Sequence, residues 1–271
     1  MSRLVSFLFW NIGTRPIQER IARLTAEHNI DVLMLAECAI DPQLMLTELN
    51  RGGQGYCFPF SEAEKVAIFT RFPEASLKAV ADDRGQRWSI RELIVEGRTD
   101  LLLVVVHFHS RPHWTEDDQM IEVTNLAADV IQREKERSHR RTVLVGDFNM
   151  NPFDKGIVAA GGLHAVMTRD IARKEERTVA ARSYPFLYNP MWGCFGDRTE
   201  GPPGSHYFLG KQVSYFWNLY DQVMLRPALM DSLRELRILE AEGPTSLLKA
   251  GEYPNPTVGS DHLPILFRLE L

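Results

Sequence analysis

Residues 143–149 read Val-Leu-Val-Gly-Asp-Phe-Asn, a short run of β-branched and leucine side chains that ends in polar residues. A near-continuous apolar run of this length is typical of a strand buried on both faces. Asp147 and Asn149 lie two positions apart, so on an extended segment their side chains point to the same side. The stretch predicts a buried strand that presents a carboxylate and an amide together at its end.

Other apolar runs of strand length also end at residues able to do chemistry: Leu4–Trp10 before Asn11, Val32–Ala36 before Glu37, and Leu101–Val106 before His107-Phe108-His109. In open α/β sheets, sites form where the strands end. Near the C-terminus, Asp261 and His262 open a further strand over Leu263–Leu269. Both side chains are costly to bury unless they are paired or liganded. These positions are therefore candidates for one site.

Helical patterns separate the strands. Apolar residues recur at helical spacing within residues 17–24 and again from Glu116 to Arg137. This alternation of strand and helix predicts an α/β (α+β) fold. Val66–Phe69 and Trp88–Val95, by contrast, are typical of antiparallel pairs. We therefore expect mixed sheets.

Composition limits the classes of protein. The chain has 271 residues, 25% of them charged and 44% hydrophobic, which excludes a disordered, collagenous or coiled-coil protein. We see no linker and expect one domain over residues 1–271. A net charge of −5 argues against binding nucleic acid by bulk charge, although a local basic groove is compatible with it. No run approaches the roughly 18–20 apolar residues that cross a bilayer, so we expect a cytoplasmic protein without membrane insertion.

Two kinds of metal site are compatible with the sequence. The oxygen ligands of Glu37, Asp261 and Asn11 suit a hard cation, Mg²⁺ or Mn²⁺. Alternatively, His107 and His109 face the same way on a strand and could share zinc with a further histidine, His113. That pattern requires Asp and His at the two positions after Ser110, where the chain has Arg and Pro. We therefore favour magnesium and interpret His107 as a supporting or core histidine.

The polar positions occur in six short motifs: Trp10-Asn11, Leu35-Ala36-Glu37, His107-Phe108-His109-Ser110, Gly146-Asp147-Phe148-Asn149, Tyr220-Asp221-Gln222-Val223 and Ser260-Asp261-His262-Leu263-Pro264. In this order they resemble the endonuclease/exonuclease/phosphatase superfamily, and most of all its deoxyribonuclease-like branch. The resemblance runs from residue 10 to residue 264. It implies a four-layer sandwich of two mixed β-sheets flanked by helices.

The resemblance also implies roles for individual residues. Asn11, Glu37 and Asp261 match the residues on the metal side of the site in that superfamily. Asp147 and Asn149 match the pair that positions or deprotonates the attacking water. Neither the resemblance nor the chemistry decides whether Asp147 or His262 acts as the general base.

The histidines match residues that face the phosphate. His262 would contact the scissile phosphate, oriented by the carboxylate of Asp221. His109 matches a second phosphate-facing histidine of the deoxyribonuclease branch, where a glutamate supports it, and Glu64 is our match for that glutamate. Arg111 is either a further contact to phosphate oxygens or part of a solvated loop.

The sequence therefore predicts a divalent-metal-dependent phosphodiesterase in which water attacks phosphorus in line, most simply a DNA endonuclease. Alternatives on the same fold are a phosphomonoesterase and a phospholipid-type phosphodiesterase, and a different class is a binding module without turnover. We expect a nucleic acid substrate, no obligatory protein partner and a monomer. The Pro- and Gly-rich connection from Asn189 to Gly210 carries aromatic rings that either line a substrate cleft or anchor a surface loop.

Overall fold

The computed structural model describes residues 3–95, 97, 100–110, 114–210 and 215–271. Its strands are, in chain order, β1 (Leu4–Asn11), β2 (Val32–Ala36), β3 (Val66–Thr70), β4 (Leu77–Asp82), β5 (Trp88–Leu93), β6 (Leu101–His107), β7 (Thr142–Asp147), β8 (Ala165–Val166), β9 (Glu176–Val179), β10 (Arg182–Pro185), β11 (Leu187–Tyr188), β12 (His206–Tyr207), β13 (Trp217–Asn218), β14 (Asp221–Leu225), β15 (Leu233–Ile238), β16 (Ala241–Glu242), β17 (Thr245–Ser246), β18 (Leu248–Lys249), β19 (Tyr253–Pro254) and β20 (Ile265–Glu270).

The α-helices are α1 (Gln18–Glu27), α2 (Pro42–Leu49), α3 (Glu116–Arg137), α4 (Lys155–Val158) and α5 (Arg169–Ala172). The longest, α3, has the bounds that the apolar periodicity predicts. It begins at a capping box between Thr115 and Asp118, and its first turn is acidic and its last turn basic, as the helix dipole favours. In the part of the chain that the structure describes, no helix combines the length and apolarity needed to cross a bilayer.

Two large sheets form the body of the protein. The first has the strand order β15-β20-β1-β2-β3, and the second has the order β4-β5-β6-β7-β14-β11-β8. β1 pairs with β2 and β6 pairs with β7 in parallel, whereas β3 and β5 lie in antiparallel pairs. Mixed sheets with antiparallel β3 and β5 confirm the sequence-based prediction.

The strand period of two divides the core into layers. In β6, residues 101, 103 and 105 belong to the apolar cluster that includes the first sheet, whereas residues 102, 104 and 106 belong to a second cluster under α3. Ile21 of α1 and Met45 of α2 pack in the first cluster. The layers are therefore α1 with α2, the first sheet, the second sheet, and α3, which is the four-layer sandwich that was predicted.

A buried ion pair ties α3 to the second sheet. Arg226 Nε lies 2.8 Å from Glu134 Oε1, both side chains are nearly inaccessible, and Thr142 Oγ1 donates to the same carboxylate oxygen at 2.6 Å. Truncating one partner of such a pair leaves a buried unpaired charge, which costs about 3–5 kcal/mol. We expect Arg226→Ala to lower the free energy of unfolding in urea by about that amount.

The matched control is Arg169→Ala, because the Arg169–Asp231 pair is exposed. Exposed pairs contribute about 0–1 kcal/mol, so this control should unfold like the wild type. Equal losses in the two variants would contradict a structural role for the buried pair.

Candidate active site

The polar ends of the central strands meet at one edge of the sandwich. In the first sheet Asn11 is in register with Ala36, the residue before Glu37. In the second sheet Asp147 is in register with both His107 and Asp221. These pairings group the polar side chains at one end of each sheet. A hydrogen bond from Asn11 to Asp147 joins the two groups, as the resemblance implies.

Asn11 joins the two sheets through its side-chain amide. Its Nδ2 donates to Asp147 Oδ2 at 2.9 Å and to Glu37 Oε1 at 3.3 Å, while its Oδ1 accepts from the Gly13 amide at 3.0 Å. Asn11 is 1% exposed. Both amide hydrogens are thus given to carboxylates, and Asn11 orients one acidic group from each sheet.

Glu37 is held as a carboxylate by the neighbouring strand β6. His107 Nε2 lies 3.2 Å from Glu37 Oε1. This hydrogen bond, opposed by burial and reinforced by the amide of Asn11, lowers the pKa of Glu37 to about 2. Glu37 is therefore ionised at neutral pH. The sequence left the role of His107 open, and in the structure this histidine hydrogen-bonds to the Glu37 carboxylate.

Asp147 and Asn149 are brought together differently from what the sequence predicts. β7 ends at Asp147, and Asn149 has a φ of 50°, so the segment is not extended through both residues. They lie together because the Asn149 backbone N–H donates to Asp147 Oδ1 at 2.8 Å. Asparagine tolerates this left-handed conformation. The Asn149 side chain is in turn fixed by a bond from Nδ2 to the carbonyl oxygen of Phe108 at 2.9 Å.

Asp147 is a buried carboxylate that faces Nε2 of His262. Burial raises its pKa, the charge of Asp221 raises it further, and the charge of His262 opposes the shift. A carboxylate with a raised pKa is a stronger proton acceptor than an ordinary aspartate. Asp147 is therefore suited to accept a proton from water.

His262 and Asp221 form the pair that the resemblance implies. His262 Nδ1 lies 2.7 Å from Asp221 Oδ2, and its Nε2 is directed toward Asp147, 3.9 Å from Oδ2. Burial alone would lower the pKa of His262, but the charges of Asp221 and Asp147 overcome this and raise it to about 10. The ring is consequently an imidazolium at neutral pH, with an N–H on the side of Asp147.

This raised pKa couples folding to pH. Below about pH 6.5 the histidine is protonated in both the folded and the unfolded chain, so its stabilisation is fully present. Above that pH the unfolded chain releases the proton while the folded chain keeps it, and the stabilisation is lost as the pH rises through about 10. We expect the free energy of unfolding of the wild type to fall more steeply between pH 6.5 and 10 than that of His262→Gln. Parallel pH profiles from denaturant titrations would contradict this.

Sequence reasoning gave no role to His206, which lies in the same cluster. Its ring centroid is 4.5 Å from that of His262, and its Nε2 is 3.9 Å from Asp261 Oδ2. Burial and the charge of His262 lower the pKa of His206 to about 4. It therefore contributes a neutral imidazole beside a charged one.

His109 has a carboxylate partner, but it is not the predicted one. His109 Nδ1 lies 2.9 Å from Oε1 of Glu122, a buried residue of α3, and the His109 ring stacks on Trp114. Glu64 is exposed on the surface, so the match to Glu64 was wrong. Glu122 lies next to the core residue Val123, but the spacing of apolar residues along α3 does not indicate that this glutamate bonds to His109. Arg111, like His113, lies outside the described residues.

The acidic groups suit a hard metal ion. Asn11 and His107 both bond to Oε1 of the Glu37 carboxylate, so Oε2 is placed to bind a cation. Asp261 is 60% exposed, and its Oδ1 is 3.5 Å from the position that a Cβ on Gly13 would take, so it lies beside the Asn11 loop. Among the described residues, two groups of three metal-binding side chains have ligand atoms within 4.8 Å of one another: Asp147, Asp221 and His262, and His206, Asp261 and His262. Neither group includes Glu37. The carboxylate oxygens of Glu37 and Asp261 are the ligands that fit Mg²⁺ or Mn²⁺.

The aromatic residues of the 189–210 connection contact one another and their neighbours. Trp192 and Phe195 lie 6.3 and 5.9 Å from the ring of Phe153, which follows the Asp147 segment. Tyr207 packs on Trp217, whereas Phe208 is 58% exposed. Most of these rings therefore anchor the connection beside the site.

The fold and the cluster define a class of protein: a four-layer α/β sandwich with carboxylates and histidines where its two sheets end. A sequence profile described as the Endonuclease/Exonuclease/phosphatase family matches residues 8–262. The chain belongs to this family.

Solved structures of the family share the whole fold at low sequence identity. TDP2 of D. rerio complexed with single strand DNA product is 17% identical, with a TM-score of 0.57 over 99% of both chains. The 3′ phosphatase NExo from Neisseria, bound to a product DNA hairpin, is 17% identical, with a TM-score of 0.59 over 98% of this chain and 100% of that one. An endonuclease/exonuclease/phosphatase family protein from Bacteroides thetaiotaomicron is 14% identical, with a TM-score of 0.61 over 99% and 95%. No curated protein matches the sequence significantly.

Proposed function

We propose that this chain is a divalent-metal-dependent phosphodiesterase of the deoxyribonuclease-like type, with nucleic acid as its substrate. One observation carries the proposal: the imidazolium of His262, paired with Asp221, faces the buried carboxylate of Asp147, which is in turn held by Asn11. Family members that bind DNA products, from D. rerio and Neisseria, support the choice of substrate.

In this proposal Asp147, His262 and Asp221 have different roles in the in-line attack of water on phosphorus. Asp147 accepts the proton of the attacking water, because its raised pKa makes it a proton acceptor while His262 is already protonated. His262 donates its Nε2 hydrogen to a nonbridging phosphate oxygen, where negative charge grows in the transition state. Asp221 fixes the tautomer and orientation of that ring. In this proposal Asp147, and not His262, is the general base.

His109 provides a second donor to the phosphate. Glu122 and the stacked ring of Trp114 hold its imidazole in one orientation. A preoriented donor stabilises charge on the leaving or nonbridging oxygens without reorganisation during the reaction. Two histidine–carboxylate pairs thus flank the phosphate in this proposal.

The metal-side residues are Asn11, Glu37 and Asp261. A bound Mg²⁺ or Mn²⁺ supplies Lewis-acid stabilisation of phosphate charge. We expect Glu37→Gln to raise the Mg²⁺ concentration for half-maximal activity at least about tenfold, because one carboxylate ligand is lost. Isothermal titration of the apoprotein with Mn²⁺ provides a second readout that does not depend on turnover.

The matched control is Glu19→Gln on the exposed side of α1, which should leave metal binding unchanged. Unaltered metal affinity in Glu37→Gln would overturn this part of the proposal. It would indicate that the metal binds instead to one of the two groups of side chains that contain His262.

A substrate panel tests the function. Plasmid DNA, single-stranded DNA, RNA, an inositol phosphate and a choline phospholipid are incubated with Mg²⁺, Mn²⁺ or EDTA. Metal-dependent nicking of DNA is the expected result. Hydrolysis of a small phosphate ester alone would assign the chain to another branch of the family, and binding of substrate without any turnover would contradict an enzyme.

A further inference from the structure

Trp114 stacks on His109 and also lines a cavity that the proposed reaction does not use. One face of the indole stacks on the His109 ring, with centroids 3.9 Å apart and planes 8° from parallel. Among the described residues no other aromatic ring packs on Trp114. The indole is thus fixed on the side of His109, and its opposite face is turned away from that histidine.

The cavity has a volume of about 220 Å³, and its walls include Trp114, Glu116, Gln119, Met150, Asp154 and Lys155. Pockets for drug-sized ligands measure roughly 300–1,000 Å³, so this one has the size for a single ring system. Met150 directly follows Asn149, and Gln119 Nε2 donates to the carbonyl oxygen of Asn149 at 3.3 Å. The cavity is therefore connected to His109 through Trp114 and to Asn149 through Met150 and Gln119, which places it near the phosphate in the proposed function.

The charges of the cavity select against a second phosphate. Glu116 and Asp154 contribute two carboxylates against the single ammonium group of Lys155. Carboxylates repel phosphate and accept hydrogen bonds from the amino and imino groups of nucleobases. An aromatic wall with acidic acceptors thus suits an uncharged ring that carries N–H donors.

We propose that this cavity receives a nucleobase adjoining the scissile phosphate, stacked on Trp114 with its N–H donors toward Glu116. This rests on the proposed function and deepens it. A base can enter the cavity only after it leaves a duplex stack, which costs free energy. The subsite therefore makes unpaired or single-stranded nucleotides the better substrates.

The test uses single-stranded oligonucleotides with one cleavable diester, all other linkages being hydrolysis-resistant phosphorothioates. The three oligonucleotides carry both flanking bases, an abasic residue on the 5′ side, or an abasic residue on the 3′ side. We expect wild-type kcat/KM to fall about tenfold for one abasic substrate, in keeping with the energy of base stacking on an aromatic side chain. Trp114→Ala should lose this preference and use that abasic substrate and the intact one equally.

Glu116→Gln separates the subsite from the support of His109. Glu116 lines the cavity, whereas the residues that hold His109, Trp114 by stacking and Glu122 by its carboxylate, are left in place. Its matched control is Glu136→Gln, an exposed residue in the last turn of α3 that pairs with Arg133 and does not line the cavity. We expect Glu116→Gln to raise KM for the intact oligonucleotide several-fold with kcat unchanged, and Glu136→Gln to behave as the wild type.

Two results would overturn the subsite while leaving the nuclease function intact. One is equal use of all three oligonucleotides by the wild type, and the other is a Trp114→Ala variant that is slower on all of them with its preference kept. Failure of the wild type to cleave any oligonucleotide overturns the proposed function itself and the subsite with it.

Discussion

Replacing His262 with alanine is expected to lower kcat for phosphodiester hydrolysis about 10²- to 10³-fold, the effect of removing one donor that stabilises transition-state charge. The variant loses the charged donor that faces Asp147 and leaves the Asp221 carboxylate buried without its partner. Both changes act on the site where the negative charge of the transition state develops. Initial rates on plasmid DNA with Mg²⁺ measure the effect.

Loss of folding is the competing explanation for an inactive His262→Ala, because the charged ring also stabilises the native state. His262→Gln fills more of the space, and a melting curve by circular dichroism shows whether each variant is folded. His28→Ala, at the end of α1, is the matched control and should keep wild-type activity. Wild-type rates in a folded His262 variant would remove this residue from the site.

Replacing Asp147 with asparagine is expected to reduce kcat about 10³-fold or more, because the side chain keeps its shape and can no longer accept a proton. The effect on stability should be small. Burial raises the pKa of Asp147, so removing its charge relieves a cost of folding at neutral pH. The asparagine NH₂ would in turn face an N–H donor, because Asn11 and the Asn149 backbone donate to the two carboxylate oxygens. Asp147→Asn should therefore melt close to the wild-type temperature.

This combination of lost activity and retained stability separates a catalytic carboxylate from a structural one. Asp231→Asn, at an exposed carboxylate, is the matched control and should change neither property. A variant of Asp147 that unfolds more easily and keeps its specific activity would show that the carboxylate serves the fold alone.

The sequence predicts those parts of the site that depend on where strands end. Asn11, Glu37 and Asp147 follow apolar runs, and the pairing of parallel strands brings such ends to one edge. The partnership of His262 with Asp221 came from the resemblance to the family, because these residues lie 41 positions apart and no local pattern joins them.

Contacts that depend on which side of α3 faces the second sheet could not be predicted from the sequence. Glu122 reaches His109 from α3. It lies between the apolar residues Ile121 and Val123, but the sequence does not show toward which side of the helix its carboxylate points. The left-handed conformation of Asn149 was also missed. The apolar run before Asn149 predicts an extended strand, but it does not show at which residue that strand ends. His206 enters the site only because its strand forms a bridge to His262 across the sandwich edge.

The most direct test of the central claim compares hydrolysis of plasmid DNA by the wild type and by Asp147→Asn, each with Mg²⁺ and with EDTA, at equal concentrations of folded protein. The account predicts nicking by the wild type with Mg²⁺, none with EDTA, and a rate about 10³-fold lower for Asp147→Asn with Mg²⁺. Equal nicking by the two proteins, or nicking that persists in EDTA, would contradict a metal-dependent site built around Asp147 and His262.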